Sequence, residues 1–282
     1  MARILLLANL NSDHILKLQN DLHIGHRHLY TEQGRRLGGG GANTGIGLAW
    51  AGHDVALITQ VGTDETANWL IAQASDQGLD CRSIQRYEGS TAEVLILTCP
   101  KGERTILRPD RPLLKLTEPP NFSDWDLIYF NIEAQGVSNW CHQAVQQTLV
   151  VSQLKYKSSK QACHYLIASH SELPSDIEDY WEFAVNQAGD SLKAFIVTHA
   201  EQGATAYTAE GMHHQHTPYE SHVVDTTGAG DVYAAGFMCA ILNHKSLYES
   251  MIEAEQWAQC TLAHESSIPH QNLMRIIKEN KS

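Results

Sequence analysis

The run DTTGAGDVYAAGFMCAIL, residues 225–242, sets two aspartates around a glycine turn and continues into small and apolar residues. Gly228, Ala229 and Gly230 can bring successive main-chain N–H groups close to an anion, because so little side chain stands in the way. The spacing of the apolar stretch predicts a helix, whose positive N-terminal end is directed at the same place. Asp231 cannot ligate such an anion. It can accept a proton from a hydroxyl that attacks it, while the amides stabilise charge on a transferring phosphoryl group. The plainer alternative is an aspartate that only caps a helix after a glycine turn.

The elements that must position these residues follow an α/β rhythm. Buried-strand runs such as RILLLAN, DVALITQV, WDLIYF, TLVVSQL, CHYLIAS and KAFIVTH alternate with helical stretches such as ANTGIGLAWAG, ETANWLIAQASDQG, SELPSDIEDYWEFAVNQAG and DVYAAGFMCAIL. This is the pattern of a mostly parallel sheet covered by helices. Residues 13–37 and 81–110 break it with short alternating runs, and they are expected to form a small projecting sheet. Its junction with the core is the glycine-rich LGGGGAN, which suits a lid. No internal repeat is visible, and residues 1–282 are read as one domain.

DTTGAGDVYAAGF closely matches the C-terminal signature of the ribokinase-like, or PfkB, family of carbohydrate kinases. The segment GGGGANTGIGLAWAGHDVALITQVGTD, residues 38–64, is similar to the N-terminal signature. The resemblance implies a three-layer sandwich with a central, mostly parallel sheet flanked by helices and a small β-sheet lid. It also implies an ATP-dependent kinase that phosphorylates a hydroxyl of a small ribose- or fructose-like sugar. Asp231 then corresponds to the catalytic base, Gly228, Ala229 and Gly230 to the anion hole, and Asp225 with Thr227 to a site for a monovalent cation, usually potassium.

By the same resemblance Asn11 and Asp13 in NLNSDHIL meet the sugar. Gly38 and Gly39 form the lid hinge, Gly40 or Gly41 and Asn43 line the pocket with Gly39, and Glu133 in YFNIEAQG is a further sugar contact. Glu172 is expected to organise magnesium through water, and Thr198 and Gly203 to contact the nucleotide. Two positions depart from the pattern: Ser169 replaces an asparagine in SHSE, and Ala200 replaces a glycine in THAEQGA. Alanine fits there only if φ is not positive. Arg108 ends a lid strand, where it could pair with a substrate phosphate or lie solvated.

Composition bounds the rest. The 43% hydrophobic share belongs to an ordinary globular core, and a net charge of −12 over 282 residues makes nucleic acid an improbable partner. No apolar run nears the roughly 20 residues of a membrane span. MARILLLANL suits a first buried strand better than a secretory signal, so the cytoplasm is the expected location. Six scattered cysteines read as free thiols, and His213, His214 and His216 as edge residues rather than a metal site. The expected small molecules are ATP, Mg2+ and K+ beside the sugar, and the family implies a homodimer through the lid. Two other readings stay open: a nucleoside kinase of the same fold, and a sugar-binding regulator that has lost efficient catalysis.

Overall fold

The computed structural model of the protein describes residues 1–100, 103–155, 160–215, 227–262 and 268–279. Its strands are β1 (Arg3–Ala8), β2 (Asn11–Leu18), β3 (Tyr30–Gly38), β4 (Asp54–Ile58), β5 (Glu93–Thr98), β6 (Arg104–Leu107), β7 (Leu127–Asn131), β8 (Leu149–Gln153), β9 (Tyr165–Ser169), β10 (Ala194–Thr198), β11 (Ala204–Thr208) and β12 (Gly211–Gln215). The helices are α1 (Gly40–Trp50), α2 (Glu65–Asp76), α3 (Val137–Ala144), α4 (Tyr180–Ala188), α5 (Ala229–Leu242), α6 (Leu247–Leu262) and α7 (Asn272–Glu279). Shorter pairings join these elements.

Among the described residues, eight strands form one sheet in the order β12-β11-β10-β9-β8-β7-β1-β4. From β4 to β10 every pairing is parallel; β11 and β12 add an antiparallel edge. Parallel strands are buried on both faces, which is why they read as unbroken apolar runs. Alternate residues serve opposite cores: Ile4 and Leu6 join Tyr129, Ile196, Phe237 and Trp257 on one face, and Leu5 and Leu7 join Phe130, Trp140 and Phe195 on the other. Helices α1, α5, α6 and α7 cover the first face, and α3 and α4 the second.

A four-stranded sheet, order β3-β2-β5-β6, stands apart with its own small core of Ile15, Val94 and Ile96. It differs from the expected segments in two respects. It begins at Asn11 rather than 13, and residues 81–92 lie outside it, with Gln85–Arg86 pairing to Gln60–Val61 instead. The helical stretch anticipated from Ser171 shrinks to α4, because Asp179 accepts from the Trp181 and Glu182 amides at 2.8 and 2.9 Å and so fixes the start. Helices α3, α6 and α7 were not anticipated. Cys99, Cys141, Cys163 and Cys239 are buried free thiols, and Cys81 and Cys260 are half-buried ones. Among the described residues no helix is long and apolar enough to cross a membrane.

Strand β1 leads toward β4 on one side and lies beside β7 on the other, so the chain reverses its direction of travel across the sheet there. Open α/β sheets bind ligands outside the carboxyl ends of the strands at such a point. Asn131 ends β7, and Asn11 follows the end of β1 by three residues.

Candidate active site

Two buried helices bring the site together. Residues Val232–Ala240 of α5 and Gly41–Leu48 of α1 are buried, so both helices are held by packing along their length. They pack closely enough that a Cβ on Gly47 would sit 3.5 Å from the Ala235 methyl. Their N-terminal turns therefore lie side by side, placing Asn43 of α1 against Asp231 of α5.

Asp231 is in the first turn of α5, but it does not cap the helix. The N-cap is Gly228, with φ of 77°, and among the described residues no side chain caps this helix, whereas Asp64 and Asp179 cap α2 and α4. Amides at a helix start without a side-chain cap are what an anion site requires. Gly228 is doubly constrained: its left-handed backbone disfavours a side chain, and a Cβ there would lie 2.8 Å from Asn43 Nδ2. Among the described residues, a Cβ on Gly230 would meet nothing within 4 Å.

The Asp231 carboxylate accepts one hydrogen bond on each oxygen. Asn43 Nδ2 donates to Oδ2 at 3.0 Å and Asn131 Nδ2 donates to Oδ1 at 3.1 Å. Thr44 Oγ1 donates to the Asp231 main-chain oxygen at 3.1 Å. Gly40 makes room for this arrangement, because a Cβ there would come within 2.5 Å of Asn131 Nδ2. Burial pushes the Asp231 pKa above the ordinary carboxylate value; the Asn43 bond, the Lys155 charge, the Asn131 bond and the Arg108 charge oppose it in that order. A carboxylate so held is a stronger base than a solvated one.

The other expected sugar contacts line the same region. Asn11 and Asp13 are buried at the start of β2, and Asp13 reaches over Gly38, where a Cβ would collide with its carboxylate. Gly39 caps α1. Glu133 is exposed, and its charge is felt by Lys155. The residues expected at the nucleotide gather at a second place along the sheet edge, where Ser169 and Thr198 stand side by side at the ends of β9 and β10. Glu172 is exposed in the turn after Ser169, and Ser169 Oγ is paired with Ser171 Oγ at 2.9 Å. Thr198 Oγ1 donates to the Ala168 carbonyl at 3.3 Å. Gly203 has φ of 80°, and Ala200 itself has φ of 51°, the positive value at which alanine was expected not to fit. The backbone keeps the shape a glycine would take, at a cost of about 1–2 kcal/mol.

Asp225 and His216 lie outside the described residues, as does the side chain of His214; His213 is exposed. Thr227 Oγ1 takes a hydrogen bond from the Arg104 guanidinium of β6, which links the small sheet to the turn before α5. Four residues at the site were not singled out from the sequence: Asn131, Thr44, Lys155 and Arg111. Asn131 carried a signal, being the polar end of the buried strand LIYFN. Arg111 donates Nη1 to Asn11 Oδ1 at 3.2 Å, and Lys155 donates Nζ to the Asn131 main-chain oxygen at 3.1 Å.

Comparison with known proteins gives the family and the fold. The family model described as pfkB family carbohydrate kinase matches residues 1–272. An ATP-dependent ribose-1-phosphate kinase of Halopiger xanaduensis is 23% identical over 282 residues, spanning 95% of this chain and 94% of its own. A 5-dehydro-2-deoxygluconokinase of Geobacillus thermodenitrificans is 22% identical over 252 residues, spanning 73% and 72%. The crystal structure of a ribokinase from Thermotoga maritima is similar with a TM-score of 0.82 at 20% identity, over 99% of this chain and 100% of that one. At that identity the likeness speaks for the fold, while the match over nearly the whole chain speaks for the family. The chain belongs to the pfkB family of carbohydrate kinases, phosphotransferases whose acceptor is a hydroxyl group.

Proposed function

We propose that this kinase transfers the γ-phosphoryl group of ATP to a hydroxyl of a small sugar held over Asp231. The observation that carries the reading is the carboxylate itself: it sits in the first turn of an uncapped helix, yet is gripped by Asn43 and Asn131 rather than by the helix amides. Base and anion hole then serve the two partners of one transfer. The acceptor hydroxyl gives its proton to Asp231 as its oxygen bonds to the γ-phosphorus, and the bond from that phosphorus to the β-γ bridging oxygen breaks to release ADP. The leading amides of α5, at Gly228, Ala229 and Gly230, stabilise the charge in transit.

Asn11, Asp13 and Asn43 offer oxygen acceptors to sugar hydroxyls, with Gly39 and Gly40 allowing close approach. Oxygens of this kind replace the water that a sugar loses on binding. The small sheet acts as a lid that excludes water from the phosphoryl group, and the Arg104–Thr227 bond supports this role by joining its β6 strand to the anion turn. Thr198 and Gly203 face the nucleotide. Glu172 is an exposed carboxylate at that edge, which suits an ion such as magnesium that keeps most of its water and binds substrate phosphates. Bound there, magnesium would neutralise phosphate charge. The potassium role of Asp225 and Thr227 rests on the family resemblance.

The test is ADP release with Mg-ATP across free sugars, sugar monophosphates, sugar acids and nucleosides, with the product followed by phosphorus NMR. A new phosphomonoester on one acceptor class supports the reading. ATP hydrolysis without a phosphorylated acceptor contradicts it. Preference for a nucleoside over every sugar would favour the nucleoside-kinase reading instead.

A further inference from the structure

The protein has a net charge of −12, yet cations converge on its acceptor pocket. Arg111 is tied to a neutral amide, Asn11 Oδ1. Lys155 is tied to the main-chain oxygen of Asn131, whose side chain holds Asp231. Arg108 is exposed at the mouth, and its charge is felt by Asp231, Arg111 and Lys155 alike. Among the described residues neither arginine forms an ion pair with a carboxylate.

This arrangement costs stability in the empty protein. Arg111 is half-buried with Arg108 as a like-charged neighbour, and burial followed by that repulsion pulls its pKa below the ordinary guanidinium value. Burial likewise lowers Lys155, against the pull of Asp231 and Glu133. A chain with 32 acidic residues is not short of carboxylates to pair with the two arginines. Guanidinium groups left open beside a hydroxyl-binding pocket match a planar or tetrahedral oxyanion, which they can grip through paired N–H donors.

We propose that Arg108, Arg111 and Lys155 bind an anionic group on the acceptor, a phosphate monoester or a carboxylate, so that the true substrate is a charged sugar and not a free neutral one. The inference rests on the kinase reading above and narrows its substrate class. The anion sits on the Asn11 and Asn131 side of the pocket. The reacting hydroxyl stays over Asp231.

The experiment compares kcat/KM for ribose, fructose and glucose with their monophosphates and with the matching sugar acids, in the wild type and in Arg108→Gln, Arg111→Gln, Arg111→Lys and Lys155→Gln. A monophosphate and an aldonate of the same sugar separate the two anions. One charged acceptor should exceed its neutral parent by about 100-fold, as expected for at least two charge-assisted contacts. Arg111→Gln should raise the KM for that acceptor by about 10- to 100-fold with a smaller change in kcat. Arg111→Lys should recover part of the loss, and added salt should raise the KM of the charged acceptor alone. A neutral sugar used as well as its charged forms overturns the inference and leaves the kinase reading standing. Equal losses with neutral and charged acceptors also overturn it, because the cations would then serve the transferring phosphoryl group. If no acceptor is phosphorylated and Asp231→Asn consumes ATP as the wild type does, the kinase reading fails first and the inference falls with it.

Discussion

Gly40→Ala separates the fold from the chemistry. Gly40 opens α1, and a Cβ there would stand 2.5 Å from Asn131 Nδ2 and 3.1 Å from Asp231 Oδ1. Carbon and nitrogen prefer about 3.5 Å, so the amide must retreat by about 1 Å. The Asn131–Asp231 bond, 3.1 Å in the native protein, then stretches beyond hydrogen-bond range. A hydrogen bond to a charged group contributes about 1.5–3 kcal/mol, while alanine in place of glycine returns up to about 1 kcal/mol of helix propensity. The net loss is about 0.5–2 kcal/mol, which lowers Tm by roughly 1–8 °C for a chain of this class. The effect on turnover is larger. A carboxylate that loses one of its two anchoring donors can turn from its productive position, where a misplacement of about 1 Å costs about 100-fold in rate, and loss of a donor to the ionised form raises the Asp231 pKa further. Differential scanning fluorimetry should show a folded protein, and the pH profile of kcat should show a reduced plateau with its acid limb moved to higher pH. Wild-type kcat with an unmoved acid limb would refute the reasoning.

Three other predictions follow from particular contacts. Burial raises the Asp231 pKa in the folded state, so the stability this group confers is fully present below the ordinary carboxylate pKa and is lost as pH rises through the raised value. Asp231→Asn removes that titration, and its Tm should rise relative to the wild type on going from acid to neutral pH; a constant difference would show that the carboxylate is not perturbed. Ala200→Gly should stabilise the protein by about 1 kcal/mol in urea unfolding, because a residue at φ of 51° is relieved, less the added freedom of the unfolded chain. A Cβ on Gly236 would lie 2.8 Å from Trp257 Cγ and 2.9 Å from the Ala254 Cα, and the main-chain atom cannot step aside. Gly236→Ala should therefore cost about 1–3 kcal/mol by overpacking α5 against α6, and an unchanged unfolding midpoint would contradict that packing.

The sheet was legible because parallel strands bury both faces: RILLLA, DVALI and AFIVT can scarcely be anything else beside helical stretches of small residues. Asp231 and Gly228 stood out because a glycine turn leading into an apolar helical stretch is a local signal, whereas Asn43 was named through the family resemblance alone. Asn131, Lys155 and Arg111 were not, since their meaning depends on partners about a hundred residues away or on a main-chain oxygen across the sheet. The second half of the small sheet was overdrawn for a related reason. Residues 81–92 carry no alternation of their own, and Gln85 and Arg86 find their register on Gln60 and Val61, which no local pattern reveals. Helix α3 was missed because it spans only Val137–Ala144 and starts at a left-handed glycine, Gly136, without a polar cap. At Ala200 the sequence left φ open, and the turn that sets φ to 51° is closed by main-chain bonds, from the Gly203 N–H to the Ala200 oxygen at 3.2 Å and from the His199 N–H to the Gly203 oxygen at 2.7 Å, rather than by buried side chains.

The most direct test of the account is turnover by Asp231→Asn at saturating Mg-ATP and acceptor, with acceptor affinity measured in parallel by calorimetry. Asparagine keeps the shape and cannot accept the proton, so kcat should fall by about 100- to 10,000-fold while the acceptor Kd stays within a few-fold of wild type. Turnover near the wild-type rate would mean that Asp231 is not the base, and that the grip of Asn43 and Asn131 on its carboxylate serves the fold alone.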